Sequence, residues 1–119
     1  MDVTVDLFRN EGETEEHRAG EVLFREGDRG DAMFVILEGK VELRVNGTVF
    51  ETLGPGGVLG EMALIDQSPR VASAVALTDV TLARVAEKRF LYMVQETPYF
   101  ALQIMRLMSD RLRRMISRI

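Results

Sequence analysis

Residues 60–65 read Gly-Glu-Met-Ala-Leu-Ile, and Pro69-Arg70 follows, with Arg70 ten positions after Gly60. The glycine reads as a strand end, and Glu61-Met62-Ala63-Leu64 as a short helix-forming run. Unpaired backbone N–H groups at such a start form an anion site. Ala63 is small enough for a ligand to approach the backbone. Arg70 adds a fixed positive charge with the planar fork that matches phosphate oxygens. Glu61 is the odd member, because a carboxylate repels a bare phosphate. It fits a ligand that also offers hydroxyl donors, as a ribose does. One arginine balances a singly charged phosphodiester better than a dianionic monoester. The residues therefore point to a ribose carrying a singly charged phosphate. A simple ion pair between Glu61 and Arg70 on the surface is the competing reading.

Other reactive groups are few. Cysteine is absent, so disulfides, thiolate metal sites and cysteine nucleophiles are excluded. His17 is the only histidine and stands among glutamates, where it reads as a surface residue and not as a metal ligand. Ser68 and Ser73 have no histidine placed to activate them. We expect no enzyme activity, no cofactor and no metal.

The elements that must position this stretch follow from glycine and apolar periodicity. All ten glycines lie at or before Gly60, which reads as short strands joined by tight turns. Val22-Leu23-Phe24 begins an apolar strand, and Gly27 to Asp31 is a turn cluster. Residues 32–38 are apolar up to the final glutamate. Val41, Leu43 and Val45 alternate with polar residues as in a half-buried strand. Asn46-Gly47 predicts a hairpin turn, with Thr48 to Leu53 returning and Gly54-Pro55-Gly56-Gly57 ending the strand. Val71–Ala76 and Val80–Val85 read as two further strands. Ala86–Glu96 and Pro98–Ile119 read as helices, divided by Thr97-Pro98. The first sixteen residues support only a short strand or a loose arm.

At 119 residues the chain is one domain, and 46% hydrophobic with 29% charged residues is ordinary for a globular protein. The N-terminus lacks the basic and apolar regions of a signal peptide, and no apolar run reaches a membrane span. A cytoplasmic location without membrane contact is expected. Net charge is −4, so the whole chain is no natural polyanion binder. The charge is uneven, with acids gathered in the first sixteen residues and Arg106, Arg111, Arg113, Arg114 and Arg118 near the end. We read those arginines as a solvated helix face. Ala101, Met105, Met108, Leu112, Met115 and Ile119 recur every three or four residues, a heptad seam suited to a homodimer. A helix packed on its own roll needs a similar stripe.

The order Gly60-Glu61-Met62-Ala63-Leu64, five residues, then Arg70-Val71-Ala72 resembles the phosphate-binding cassette of the cyclic nucleotide-binding domain family. Ala19 to Asp28 and Met33 to Val41 resemble its first strands, and the similarity runs over about residues 18–119. The resemblance implies a mainly β fold, an antiparallel eight-stranded β-roll of jelly-roll type (a double-stranded β-helix) with two C-terminal helices. The expected domain is 1–119, with the roll over about 14–86 and the helices over about 87–119. By the family's pattern Glu61 takes the ribose 2′-hydroxyl and Arg70 the cyclic phosphate. Backbone groups of Gly60, Met62, Ala63, Val71 and Ala72 line them, and Leu59 supplies wall contact. A residue between Met105 and Leu112 is expected to close over the base.

Two departures from the family shape the remaining expectations. Val71 lacks the hydroxyl that cyclic GMP-dependent kinases often carry after the arginine, which favours cyclic AMP as ligand over cyclic GMP. The chain ends after the long helix, so we expect no DNA-binding or catalytic domain and no direct DNA contact. The expected role is a small sensor that signals through its C-terminal helices to a protein partner not named by the sequence. An oligomerisation module on the same fold that uses no nucleotide is the alternative.

Overall fold

The computed structural model describes Phe8 and residues 13–117. Ile119 of the expected seam, Arg118 and most of the acidic N-terminal stretch lie outside the described residues. Eight strands run β1 Glu13–His17, β2 Val22–Phe24, β3 Ala32–Glu38, β4 Val41–Val45, β5 Thr48–Leu53, β6 Val58–Leu59, β7 Ser73–Ala76 and β8 Val80–Ala86. Helix α1 spans Glu61–Asp66, between β6 and β7, and α2 Glu87–Glu96 and α3 Pro98–Ser117 follow the last strand. The strands form two four-stranded antiparallel sheets, ordered β1-β8-β3-β6 and β2-β7-β4-β5.

Strand β3 reads as a continuous apolar run because both of its faces are covered. Met33, Val35 and Leu37 face a core shared with Ala83 and Val85 of β8 and with Phe100, Ile104 and Leu107 of α3. Ile36 faces the other way, into a core between the sheets with Val41, Leu43, Leu59, Ala74, Ala76, Val80 and Leu82. A period of two thus sends alternate side chains of β3 and β8 into two different cores. The helices are held by rings as well, with Phe90 edge-on to Phe100 at 5.6 Å and Phe8 tilted on Phe100 at 6.0 Å.

Asn46 and Gly47 both take positive φ, 52° and 78°, and close the β4–β5 hairpin with Val45 opposite Thr48. This is the turn that two-residue hairpins require. Strand β7 begins at Ser73, two residues later than expected, because Val71 and Ala72 leave the ladder to line a cavity. Two-residue β6 gives too short a pattern to be read from sequence. Helix α3 starts at Pro98, where the missing N–H costs nothing.

The face of α3 that packs on the roll is Phe100, Ile104 and Leu107, one position before the seam read from the sequence. Met105, Leu112 and Met115 of that seam are exposed in the single chain, and Ala101 and Met108 are half-buried. Among the described residues no helix is long and apolar enough to cross a membrane.

Candidate functional site

A cavity of about 440 Å³ opens between the second sheet, the start of α1 and the end of α3. Small-ligand pockets occupy roughly 300–1,000 Å³. Phe24, Leu43, Val45 and Phe50 form the sheet wall, and Gly60, Glu61, Met62 and Ala63 form the floor beside Arg70, Val71 and Ala72. Met108, Ser109, Arg111, Leu112 and Met115 cover it from α3. The tertiary structure thus gathers seven of the eight residues chosen from sequence: Gly60, Glu61, Met62, Ala63, Arg70, Val71 and Ala72. Leu59 is the exception and does not line the cavity. Its side chain is wholly buried in the core between the sheets, because at the end of two-residue β6 it takes the inward-facing position.

Arg70 is set by three neighbouring segments. Its backbone N–H donates to the Asp28 carbonyl, and its own carbonyl accepts from Gly27 N–H, each at 2.8 Å. The turn cluster read from the sequence therefore holds the arginine's backbone. Its guanidinium lies over the Phe24 ring at 4.5 Å and the Phe34 ring at 5.7 Å. Nη1 donates to the Gly60 carbonyl at 3.0 Å. Arg70 is only 7% exposed, and its Nε has no hydrogen-bond partner among the described residues. Burial pushes the guanidinium below its ordinary pKa, and the nearby Asp31, Asp28 and Glu61 charges oppose that shift. An arginine remains a cation under such a shift. A buried cation with one hydrogen bond and an unpartnered donor is poised for an anion.

Two glycines make room for this arrangement. Gly60 caps α1 with φ 73°, in the left-handed region, and a Cβ there would collide with Arg70 Nη1. Gly30 lies in the Gly27 to Asp31 turn cluster. A Cβ on it would stand 2.5 Å from the guanidinium carbon and 3.0 Å from Ala63 Cβ. No local pattern marks Gly30, since the contact joins residues forty positions apart.

Glu61 is 4% exposed at the first position of α1. It does not pair with Arg70, so the simple Glu61–Arg70 ion pair is corrected. Its Oε1 accepts from Arg111 Nη1 at 2.7 Å. Arg111 also donates through Nε to Glu51 Oε1 at 3.1 Å and through Nη2 to the Val58 carbonyl. Arg114 Nη2 reaches Glu51 Oε2 at 3.1 Å and Asp110 at 2.9 Å. The solvated arginine face read from the sequence is therefore wrong for Arg111, whose side chain is 11% exposed, and for Arg114 in part. Arg111 lies four positions beyond Leu107 and Arg114 three beyond Arg111, on the side of α3 that faces the roll. His17 sits half-buried at the end of β1 between Glu15, at 3.1 Å, and Glu21. Among the described residues no group of three or more His, Cys, Asp or Glu side chains is placed to hold a metal ion.

Comparison with known proteins identifies the family and the fold. The family description "Cyclic nucleotide-binding domain" matches residues 14–97. The chain belongs to the cyclic nucleotide-binding domain family. A cyclic AMP receptor protein of Thermus thermophilus is 33% identical over 114 residues, covering 92% of this chain and 53% of that protein. The crystal structure of the Thermus thermophilus catabolite activator protein superimposes with a TM-score of 0.80 over 92% of this chain and 54% of that one, at 33% identity. The Pycsar effector protein XpPycTIR of Xanthomonas perforans is 41% identical over 88 residues, 73% of this chain and 29% of that protein. The EAL enzyme Bd1971 in its cAMP-bound form aligns with a TM-score of 0.66 at 35% identity, over 86% of this chain and 28% of that one. The same enzyme also has a cGMP-bound structure, which is similar at a TM-score of 0.68. The chain spans about half or less of the length of these curated relatives. As a cyclic nucleotide-binding domain, it is similar to regulators and to the corresponding part of an enzyme.

Proposed function

We propose that the chain binds cyclic AMP as a cytosolic sensor module and signals through α2 and α3, without catalysis of its own. What carries this reading is Arg70, buried with an unpartnered Nε at the wall of a cavity whose floor also holds Glu61. The cyclic phosphate sits against Arg70 and the backbone of Ala63, Val71 and Ala72. The ribose lies on Gly60, Glu61 and Met62, with its 2′-hydroxyl donating to Glu61. The base lies between the sheet wall and α3, and Met108, Ser109, Arg111 and Leu112 cover it within the segment expected to close the site. Val71, without a hydroxyl, offers guanine no partner.

The mechanism is a population shift. A ligand that touches both the floor and α3 binds the closed placement of α3 better than an open one, so it favours closure. A downstream protein partner reads that placement. The same reading includes a homodimer through the outward side of α3, where Leu102 and Met105 are exposed. Light scattering that finds a monomer with and without nucleotide removes the dimer from the proposal. Titration calorimetry tests the ligand. Cyclic AMP is expected to bind at least as tightly as cyclic GMP, and both better than 5′-AMP. Equal binding of 5′-AMP, or no binding of either cyclic nucleotide, refutes the reading.

A further inference from the structure

The stripe by which α3 packs on the roll is apolar for two turns and then becomes ionic. Phe100, Ile104 and Leu107 are buried, and the next positions on that side are Arg111 and Arg114. Both reach back to Glu51, an acid of β5 whose side chain is 9% exposed. Arg111 Nε donates to one carboxylate oxygen and Arg114 Nη2 to the other, each at 3.1 Å. Beyond Leu107, Met108, Leu112 and Met115 line a cavity of about 440 Å³, and Met108 alone of these also packs on the core beneath α3. Leu112 and Met115 are exposed and make no core packing, so apolar contact holds this end of α3 less than it holds the turns at Phe100 to Leu107. The polar ties help to set its position.

We propose that Glu51 is a positioning residue that holds α3 across the cavity mouth. It gives Arg111 and Arg114 a common buried anchor on the roll, which favours the closed placement of the covering helix, the placement that a ligand also favours. It has a second consequence that rests on the function proposed above. With Glu51 retaining Arg111, Glu61 can accept a ribose hydroxyl without leaving a buried arginine unpaired, a state that costs more than an exposed one. Glu51 thereby keeps α3 closed while Glu61 engages the ligand.

The test compares the native chain with Glu51→Gln, Arg114→Gln and the double variant by amide hydrogen exchange without nucleotide. Arg114 is half-exposed, with its side chain 41% exposed, so its replacement does not threaten the core. Exchange at residues 108–115 is expected to rise by about tenfold in Glu51→Gln, since removing one carboxylate from a buried cation destabilises the local closed form. Amides of β3 and β8 should keep their protection. The double variant should add less than the sum of the two singles. Dissociation of a fluorescent cyclic AMP analogue should accelerate about tenfold in Glu51→Gln. Unchanged exchange in α3, or an equal rise in β3 and β8, overturns the anchor. If α3 loosens as described but neither native nor variant protein binds the analogue, the anchor stands and the cyclic AMP reading falls.

Discussion

Replacing Arg70 by alanine separates a residue placed for a ligand from one placed for the fold. Among the described residues the guanidinium has one hydrogen bond, to the Gly60 carbonyl, and two ring contacts, on Phe24 and Phe34. A hydrogen bond from a charged group is worth about 1.5–3 kcal/mol, and a cation over a ring about 0.5–2 kcal/mol. Against these stands the burial of a cation with an unpartnered Nε, a cost of several kcal/mol. The terms nearly cancel, so Arg70→Ala should change unfolding stability by no more than about 1 kcal/mol. Binding is different, because on the proposed reading the cyclic phosphate loses the buried cation beside it. Breaking such a pair costs about 2–5 kcal/mol, a roughly thirtyfold to several-thousandfold loss of affinity. Arg70→Lys keeps the charge but not the fork, and should fall between alanine and the native protein. Urea unfolding gives the stability and calorimetry with cyclic AMP gives the affinity. A variant that loses about 3 kcal/mol of stability yet binds cyclic AMP normally would refute the reasoning, since Arg70 would then serve the fold.

Three further outcomes are expected. Removing the ribose 2′-hydroxyl should weaken binding by about 1.5–3 kcal/mol in the native protein and by less in Glu61→Gln. Absence of coupling in that cycle, measured with 2′-deoxy cyclic AMP, takes Glu61 out of the site, and the cycle form is needed because Glu61→Gln also disturbs Arg111. Gly30→Ala should push Arg70 off its ring contacts, since its Cβ would stand 2.5 Å from the guanidinium carbon. Calorimetry should then show at least about tenfold weaker binding, a loss of about 1.4 kcal/mol, whereas unchanged affinity means that Arg70 does not need its observed position. His17 should make stability depend on pH. Burial lowers its pKa, but hydrogen bonds to Glu21 and Glu15 outweigh burial and raise it above 6.5. The stabilisation is therefore complete below the unfolded value and is lost as pH rises through the raised folded value. Unfolding curves of His17→Gln should lack this fall, and identical profiles for both proteins refute the pairing.

The sequence by itself determined the elements whose signals are local. Asn46-Gly47 dictates its hairpin because both residues accept positive φ, and Thr97-Pro98 divides the two last helices because proline disfavours continuation of the preceding one. That residues 60–63 and 70–72 would line one cavity was legible because the cassette is nearly contiguous and resembles a family. That Leu59 lies in the core and not at the cavity was not legible, because one strand position decides between the two and β6 is too short to show its alternation. What only the tertiary structure decided involves residues distant in sequence. The choice of α3 face is one case, since adjacent apolar stripes at 100/104/107 and 101/105/108 look alike until the roll is placed against one of them. The fate of Arg111 is another. A helix of arginines reads as solvated, and only the approach of Glu51 and Glu61, fifty or more positions away, makes it a buried tie. Gly30 beside Arg70 belongs with these, because close approach of two loops leaves no periodic trace in either. Local rules fix backbone conformation, but charge pairing and cavity shape depend on which surfaces meet, and that is a property of the whole folded chain.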